Sequence, residues 1–168
     1  MSATNRGTVR NKNDFYPTPE YTIDSLLNVL NLHNNITFHE PCKGNGIIYN
    51  KINTPFKSYC ELEEGIDYLI TDNKEKFDLI ITNPPFSLAK EFINKSLNEA
   101  NSIWYLLRLN FLGSQTRKDW WKDKMPTHLL VLSKRPSFTN KGTDATEYAW
   151  FGWDKINICK LNKGIHIL

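Results

Sequence analysis

The 168-residue chain has no run of the ~20 apolar residues needed to cross a bilayer, and no apolar core near its start of the kind that marks an export signal. The sequence therefore predicts a soluble protein of the cytoplasm. Cysteine is scarce: Cys42, Cys60 and Cys159 are odd in number, far apart and without a C-x-x-C pair, which argues against a disulfide framework and a zinc site. His33, His39, His128 and His166 are equally scattered, so no metal is expected. Excess charge is also lacking. A formal net charge of +3 permits a nucleic-acid partner but argues against binding by charge alone. Repeats, low-complexity tracts and linkers are missing, which predicts a single domain over residues 1–168, with a polar, mobile start at residues 1–13. Hydrophobic residues at 40% and charged residues at 23% exclude wholesale disorder. Alanine is sparse while Asn, Lys and Ile abound, a composition that fits an AT-rich genome such as that of a bacterial virus.

What is present is an alternation of short apolar strands and amphipathic helices. A helix is predicted to open at Thr18 or Pro19, with Tyr21, Ile23, Leu26, Leu27 and Leu30 as its apolar stripe. Residues 36–40 read as a strand, followed by the turn Pro41-Cys42-Lys43-Gly44-Asn45-Gly46 and a brief helix to about Lys51. Further strands are predicted at 57–62, 77–82, 102–109, 127–132, 148–153 and 156–159, with helices at 86–99 and 114–122. Residues 77–82 form the near-continuous apolar run of a strand buried on both faces. This alternation predicts an α/β fold with a mostly parallel sheet, in which ligands sit beyond the carboxyl ends of the strands.

The residues that follow those strands carry the chemistry. After Ile81-Thr82 comes Asn83-Pro84-Pro85-Phe86. Two prolines stiffen the chain and hold Asn83 extended, so the Asn83 amide oxygen and the Pro84 carbonyl can form a fixed pair of acceptors. An exocyclic amine that donates both hydrogens to such a pair is biased towards a pyramidal nitrogen, whose lone pair can then attack. Phe86 can stack on the attached ring. No strong base is needed, because positioning and electrostatics supply most of the catalysis. The alternative is a Pro-rich turn that merely joins strand to helix.

The turn ending in Gly44 and Gly46 allows close backbone approach to a ligand, or else is an ordinary strand-to-helix turn. Glu40 before it disfavours a phosphate-binding loop and suits an ammonium. An acid in Glu61-Leu62-Glu63 sits where it can accept both hydroxyls of a ribose, although a solvated acidic turn would look the same.

Asn83-Pro84-Pro85-Phe86 resembles the catalytic motif of the amino-group DNA methyltransferases, in their adenine-N6 branch and small phage type. Phe15-Tyr16-Pro17-Thr18-Pro19 resembles that family's N-terminal motif, and His39-Glu40-Pro41-Cys42-Lys43-Gly44-Asn45-Gly46 its cofactor loop. Arg135-Pro136-Ser137-Phe138 and Glu147-Tyr148-Ala149-Trp150-Phe151 resemble its C-terminal part, so the likeness runs from about Phe15 to Trp153. It implies a Rossmann-like class I sheet, mostly parallel, with an antiparallel strand near the C-terminus. It further implies S-adenosylmethionine as cofactor, held by Tyr16, Pro17, Thr18, Glu40, Pro41, Cys42, Gly44, Gly46, Glu61, Asp67 and Asn83. Asn83, Pro84, Pro85 and Phe86 would be catalytic, and the substrate a flipped adenine of DNA.

For nucleic-acid contact the candidates are Arg108, Arg117, Lys118, Arg135 and Phe138. Arg117 and Lys118 precede Trp120 and Trp121, which either meet bases or cap the core of a solvated helix. Phe138 is either a stacking or a core residue.

The sequence departs from the family in three places. Lys43 stands where a small residue is usual. Residues 63–76 are too few for the usual strand and helix, which predicts a trimmed sheet edge. No room exists for a target-recognition domain, which predicts relaxed sequence specificity set by loops such as 134–147 or by a partner subunit. Adenine in RNA, and an inactive relative that only binds cofactor or nucleic acid, are the competing readings. A glutamine-modifying relative is disfavoured by Phe86.

Overall fold

The computed structural model describes residues 17–138 and 145–168. Seven strands form one sheet: β1 (Phe38–Glu40), β2 (Lys57–Tyr59), β3 (Phe77–Thr82), β4 (Ala100–Arg108), β5 (His128–Val131), β6 (Tyr148–Asp154) and β7 (Gly164–Ile167). Their spatial order is β2-β1-β3-β4-β6-β5-β7. Every pairing is parallel except those of β6, which runs antiparallel between β4 and β5. The sheet is thus the mostly parallel one predicted, with its antiparallel strand near the C-terminus.

Helices cover both faces. Helix α1 (Glu20–Val29) and α2 (Ile47–Lys51) lie on one side, α3 (Ala89–Glu99) and α4 (Lys118–Lys124) on the other. The period-two alternation of each strand divides its apolar residues between the two cores. In β4, Trp104 and Leu106 join α1 and α2, while Ile103, Tyr105 and Leu107 face α3 and α4. All seven residues of β6 are buried, since it has neighbours on both edges and helices on both faces. One polar contact then aligns α1 with the sheet: the Trp150 indole N–H donates to the Thr22 carbonyl at 2.9 Å. A second network crosses the other core, where Ser96 Oγ lies 2.8 Å from the Tyr68 hydroxyl and 2.7 Å from that of Tyr105. Burial pushes the pKa of both phenols up, so they stay neutral.

Several elements differ from the sequence expectation for identifiable reasons. The predicted strand at 156–159 is reduced to an isolated antiparallel bridge between Cys159 and Leu30. The Asp154 carboxylate accepts from the Ile156 N–H (3.3 Å) and the Cys159 N–H (2.9 Å), and Asn157 adopts a left-handed φ of 55°. The final strand is instead β7, which pairs with β5 in parallel. Strand β2 stops at Tyr59 because Glu61 caps a 3-10 turn over Leu62–Glu64, and residues 63–76 contain no strand. The sheet edge is trimmed, as predicted. The helices foreseen at 86–99 and 114–122 each begin with a 3-10 turn, Phe86–Leu88 and Gln115–Arg117, before α3 and α4 start.

Gly152 faces Trp104 across the β4–β6 pair, and a Cβ there would collide with the indole ring. Trp104 is fully buried, so the ring has nowhere to move. Gly152→Ala should therefore destabilise the fold by about 1–3 kcal/mol or more. In urea unfolding the midpoint should fall at unchanged m-value.

Candidate functional site

Strand β1 has β2 on one side and β3 on the other, so strand order reverses there and the carboxyl ends of all three open onto one crevice. A cleft open to solvent occupies that position. Its walls come from four separate stretches of chain: Pro17 and Thr18 before α1, the turn after β1, the acidic turn after β2, and Asn83 and Pro85 after β3.

The turn after β1 is shaped by positive φ values at Gly44 (52°) and Gly46 (79°), conformations that favour glycine. Gly46 then caps α2 from the left-handed region. Glu61 ties this turn to the next wall. Its Oε2 accepts the Gly44 N–H at 2.6 Å and its Oε1 the Glu63 N–H at 3.2 Å. Asp67 closes its own turn by accepting the Leu69 N–H at 2.9 Å.

Glu40 ends β1 at 1% exposure, and its Oε2 has no hydrogen-bond partner. Burial holds its carboxyl well above the usual carboxylate range, with the nearby Glu61 charge adding to the rise and a Tyr49 backbone hydrogen bond opposing it. A buried carboxyl lining a cleft with one oxygen unused is matched by a cationic ligand group. Cys42 lines the cleft beside it. Burial pushes its thiol well up, so it is a packing residue rather than a nucleophile.

Asn83 follows the last residue of β3 and faces this cleft. Its side-chain amide donates to Thr18 Oγ1 at 3.1 Å, a contact spanning 65 positions that fixes the carboxamide plane. Pro85 also lines the cleft, whereas Phe86 turns to the other side of the elbow. There its ring lies 5.9 Å from that of Tyr148 and 5.1 Å from the Arg108 guanidinium. Phe138 packs on the same Tyr148 at 5.1 Å, and Arg108 donates to the Tyr148 hydroxyl at 2.9 Å. The elbow thus separates the cleft from an aromatic cluster that includes Phe86 and Phe138.

Of the residues picked out by sequence as cofactor-binding, Pro17, Thr18, Glu40, Pro41, Cys42, Gly44, Glu61, Asp67 and Asn83 line the cleft. Gly46 supports the turn from behind, and Tyr16 lies outside the described residues. Among the nucleic-acid candidates, Arg108 and Phe138 meet at Tyr148, as above. Arg117 donates to the Phe111 carbonyl at 2.9 Å and stacks on that ring at 4.3 Å, Lys118 is exposed, and Arg135 pairs with Glu147 at 3.4 Å. Trp121 is buried among Phe111 and Phe151, and Trp120 donates to Asn94 at 2.8 Å. The tryptophans therefore cap the core. Sequence reading missed the apolar side of the cleft, above all Leu62, Ile66 and Leu88, which are 63%, 39% and 41% exposed. A signal existed: Leu62 and Ile66 are large apolar residues set in an acidic turn that matches neither helical nor strand periodicity. Among the described residues no group of side chains could hold a metal ion, and no helix is long and apolar enough to cross a membrane.

Neither the protein-family models nor the curated proteins contain a match to this chain. Solved structures do. A candidate class I S-adenosylmethionine-dependent methyltransferase of Listeria monocytogenes superposes with a TM-score of 0.66 at 10% identity, over 95% of this chain and 67% of that one. A candidate RNA methyltransferase of Pyrococcus horikoshii gives 0.62 at 13% identity, over 94% and 92%. The M protein of the type I restriction enzyme EcoKI gives 0.67 at 12% identity, over 90% of this chain but 48% of its own. The fold is that of the class I methyltransferases. This chain therefore spans about half of the restriction subunit and nearly all of the archaeal protein.

Two neighbours on β1 carry opposite pH signatures. Glu40's folded pKa is raised, so the folded state holds a proton that the unfolded state has lost. Its contribution is complete below the ordinary value of 4.5 and fades as pH rises through the folded value. His39, 2% exposed, is lowered to about 4, chiefly by burial and secondly by Lys95. The unfolded state binds the extra proton, so stability is complete above 6.5 and lost as pH falls towards about 4. Relative to wild type, Glu40→Gln should gain stability as pH rises above the ordinary carboxylate value of 4.5, where the wild-type side chain is held protonated by folding. His39→Phe should flatten the loss on acidification. Urea denaturation at several pH values measures both.

Proposed function

We propose that this chain is an S-adenosylmethionine-dependent methyltransferase acting on the N6 amine of adenine in DNA. The observation that carries the reading is convergence. Three sequence segments that resemble separate methyltransferase motifs meet at one cleft, and the Asn83–Thr18 hydrogen bond joins the first to the last. The fold of the Listeria, Pyrococcus and EcoKI proteins supports the same class.

The residues present fit the cofactor. The buried, unpartnered Oε2 of Glu40 suits the ammonium of a methionine moiety, and the Gly44 turn admits its backbone-like end. Glu61, held by two backbone amides, would accept ribose hydroxyls with its remaining lone pairs. Leu62, Ile66 and Leu88 would enclose the adenine ring, with Asp67 beside it. When bound, the cofactor supplies an electrophilic methyl group on a positively charged sulfur.

The chain's own contribution is to position the target amine. The Asn83-Pro84 elbow presents acceptors for two N–H groups, so the nitrogen lone pair is freed from the ring and directed at the cleft. Asn83 keeps its orientation because Thr18 occupies its amide nitrogen. The extruded base would enter from the side of Phe86 and Phe138. Stacking on Phe86 requires the Arg108 guanidinium, now over that ring, to swing away.

Incubation with labelled S-adenosylmethionine and unmodified DNA should yield labelled N6-methyladenine. Asn83→Ala should cut turnover at saturating cofactor by about 100-fold or more, as loss of a transition-state hydrogen-bonding group does. Glu40→Gln should weaken cofactor binding instead. Incorporation into RNA alone would move the substrate class, and tight cofactor binding without transfer to either nucleic acid would overturn the enzymatic reading.

A further inference from the structure

The cleft wall after β2 carries Glu61, Leu62, Glu63, Ile66 and Asp67, yet it grows from the weakest part of the sheet. Strand β2 is three residues long and lies at the edge, paired only with β1. No strand follows it in residues 63–76 to brace its outer side. What joins this wall to the turn after β1 is a short set of contacts. The Lys43 N–H donates to the Cys60 carbonyl at 3.0 Å, and Gly44 donates to Glu61. The third is a side-chain triangle. The Lys43 ammonium donates to Glu64 Oε1 at 3.0 Å and sits 3.5 Å over the Tyr59 ring, whose hydroxyl donates to Glu64 Oε2 at 3.0 Å.

Each edge of that triangle does a different task. Lys43 belongs to the glycine turn, Tyr59 ends β2, and Glu64 ends the 3-10 turn that follows Glu61. The cation therefore joins three consecutive pieces of the two facing walls. Its side chain is only 20% exposed although Glu64 is 46% exposed. An isolated surface ion pair contributes little. Here the same ammonium also lies on an aromatic face, and the acid is held by a second donor, which restricts both partners before they meet.

We propose that Lys43 is a positioning residue: it holds the ribose-facing wall against the glycine turn, and so sets the affinity for S-adenosylmethionine. The inference rests on the cofactor reading above. It also explains why a long cationic side chain is tolerated in a loop that approaches a ligand, since its charge is directed to Tyr59 and Glu64.

Calorimetric titration with S-adenosylmethionine tests it on wild type, Lys43→Met and Glu64→Ala, the last of which keeps the ammonium but removes its anionic partner. Lys43→Met keeps the aliphatic stem and should raise Kd about fivefold, the loss expected of one such cation contact. Glu64→Ala, at a position outside the cleft lining, should raise Kd by a similar factor. Amide hydrogen exchange in the ligand-free protein gives a second readout: residues 62–67 should exchange about fivefold faster in Lys43→Met, because a contact of that size restrains local opening. Wild-type affinity and exchange in Lys43→Met overturn the proposal. So does wild-type affinity in Glu64→Ala, which would mean that Lys43 acts by touching the ligand. If wild type itself takes up no S-adenosylmethionine, the cofactor reading falls and the affinity claim with it, while faster exchange in Lys43→Met would still identify the brace.

Discussion

Parallel pairing of β1 with β2 on one side and β3 on the other is the constraint from which the rest follows. Parallel strands point their carboxyl ends the same way, so Glu40, the Glu61 turn and Asn83 emerge side by side. A crossover connection is obligatory after each strand, and those connections become the cleft walls. An acid, a glycine turn and a fixed amide are thereby brought to one place by three strand ends rather than by one loop.

The second half of the molecule secures that arrangement from a distance. Strand β6 is wholly buried, and its Trp150 indole anchors α1 through the Thr22 carbonyl. Thr18 lies one turn ahead of that anchor and meets Asn83. A buried antiparallel strand near the C-terminus thus orients a residue at the N-terminal side of the cleft. The route is a chain of packed contacts and hydrogen bonds, each with a single partner geometry.

Legibility in the sequence followed locality. Asn83-Pro84-Pro85 and the Gly44–Gly46 turn were readable as an elbow and a tight turn because their backbone preferences are intrinsic to neighbouring residues. The strand at 77–82 was readable because burial on both faces leaves a continuous apolar run. Strand β7 was not, since its Gly-Ile-His-Ile stretch is short and gains its order from β5, 36 positions earlier in the register Gly164 to His128. The Asp154 turn displaced the predicted strand at 156–159 because side-chain capture of two amides outweighed a weak β preference. Phe86 was legible as an aromatic beside the elbow, but the side of the elbow it occupies depends on Tyr148 and Arg108, far along the chain. Lys43 stood out by type alone; its partners could be named only once β2 and the 3-10 turn were folded beside it.

The slot at Gly152 has a consequence for how such a sequence can vary. An indole at 104 and a hydrogen at 152 share one fixed volume in the centre of the sheet. A larger residue at 152 is admissible only together with a smaller ring at 104, so the two positions should exchange bulk as a unit, and drift at either alone is barred.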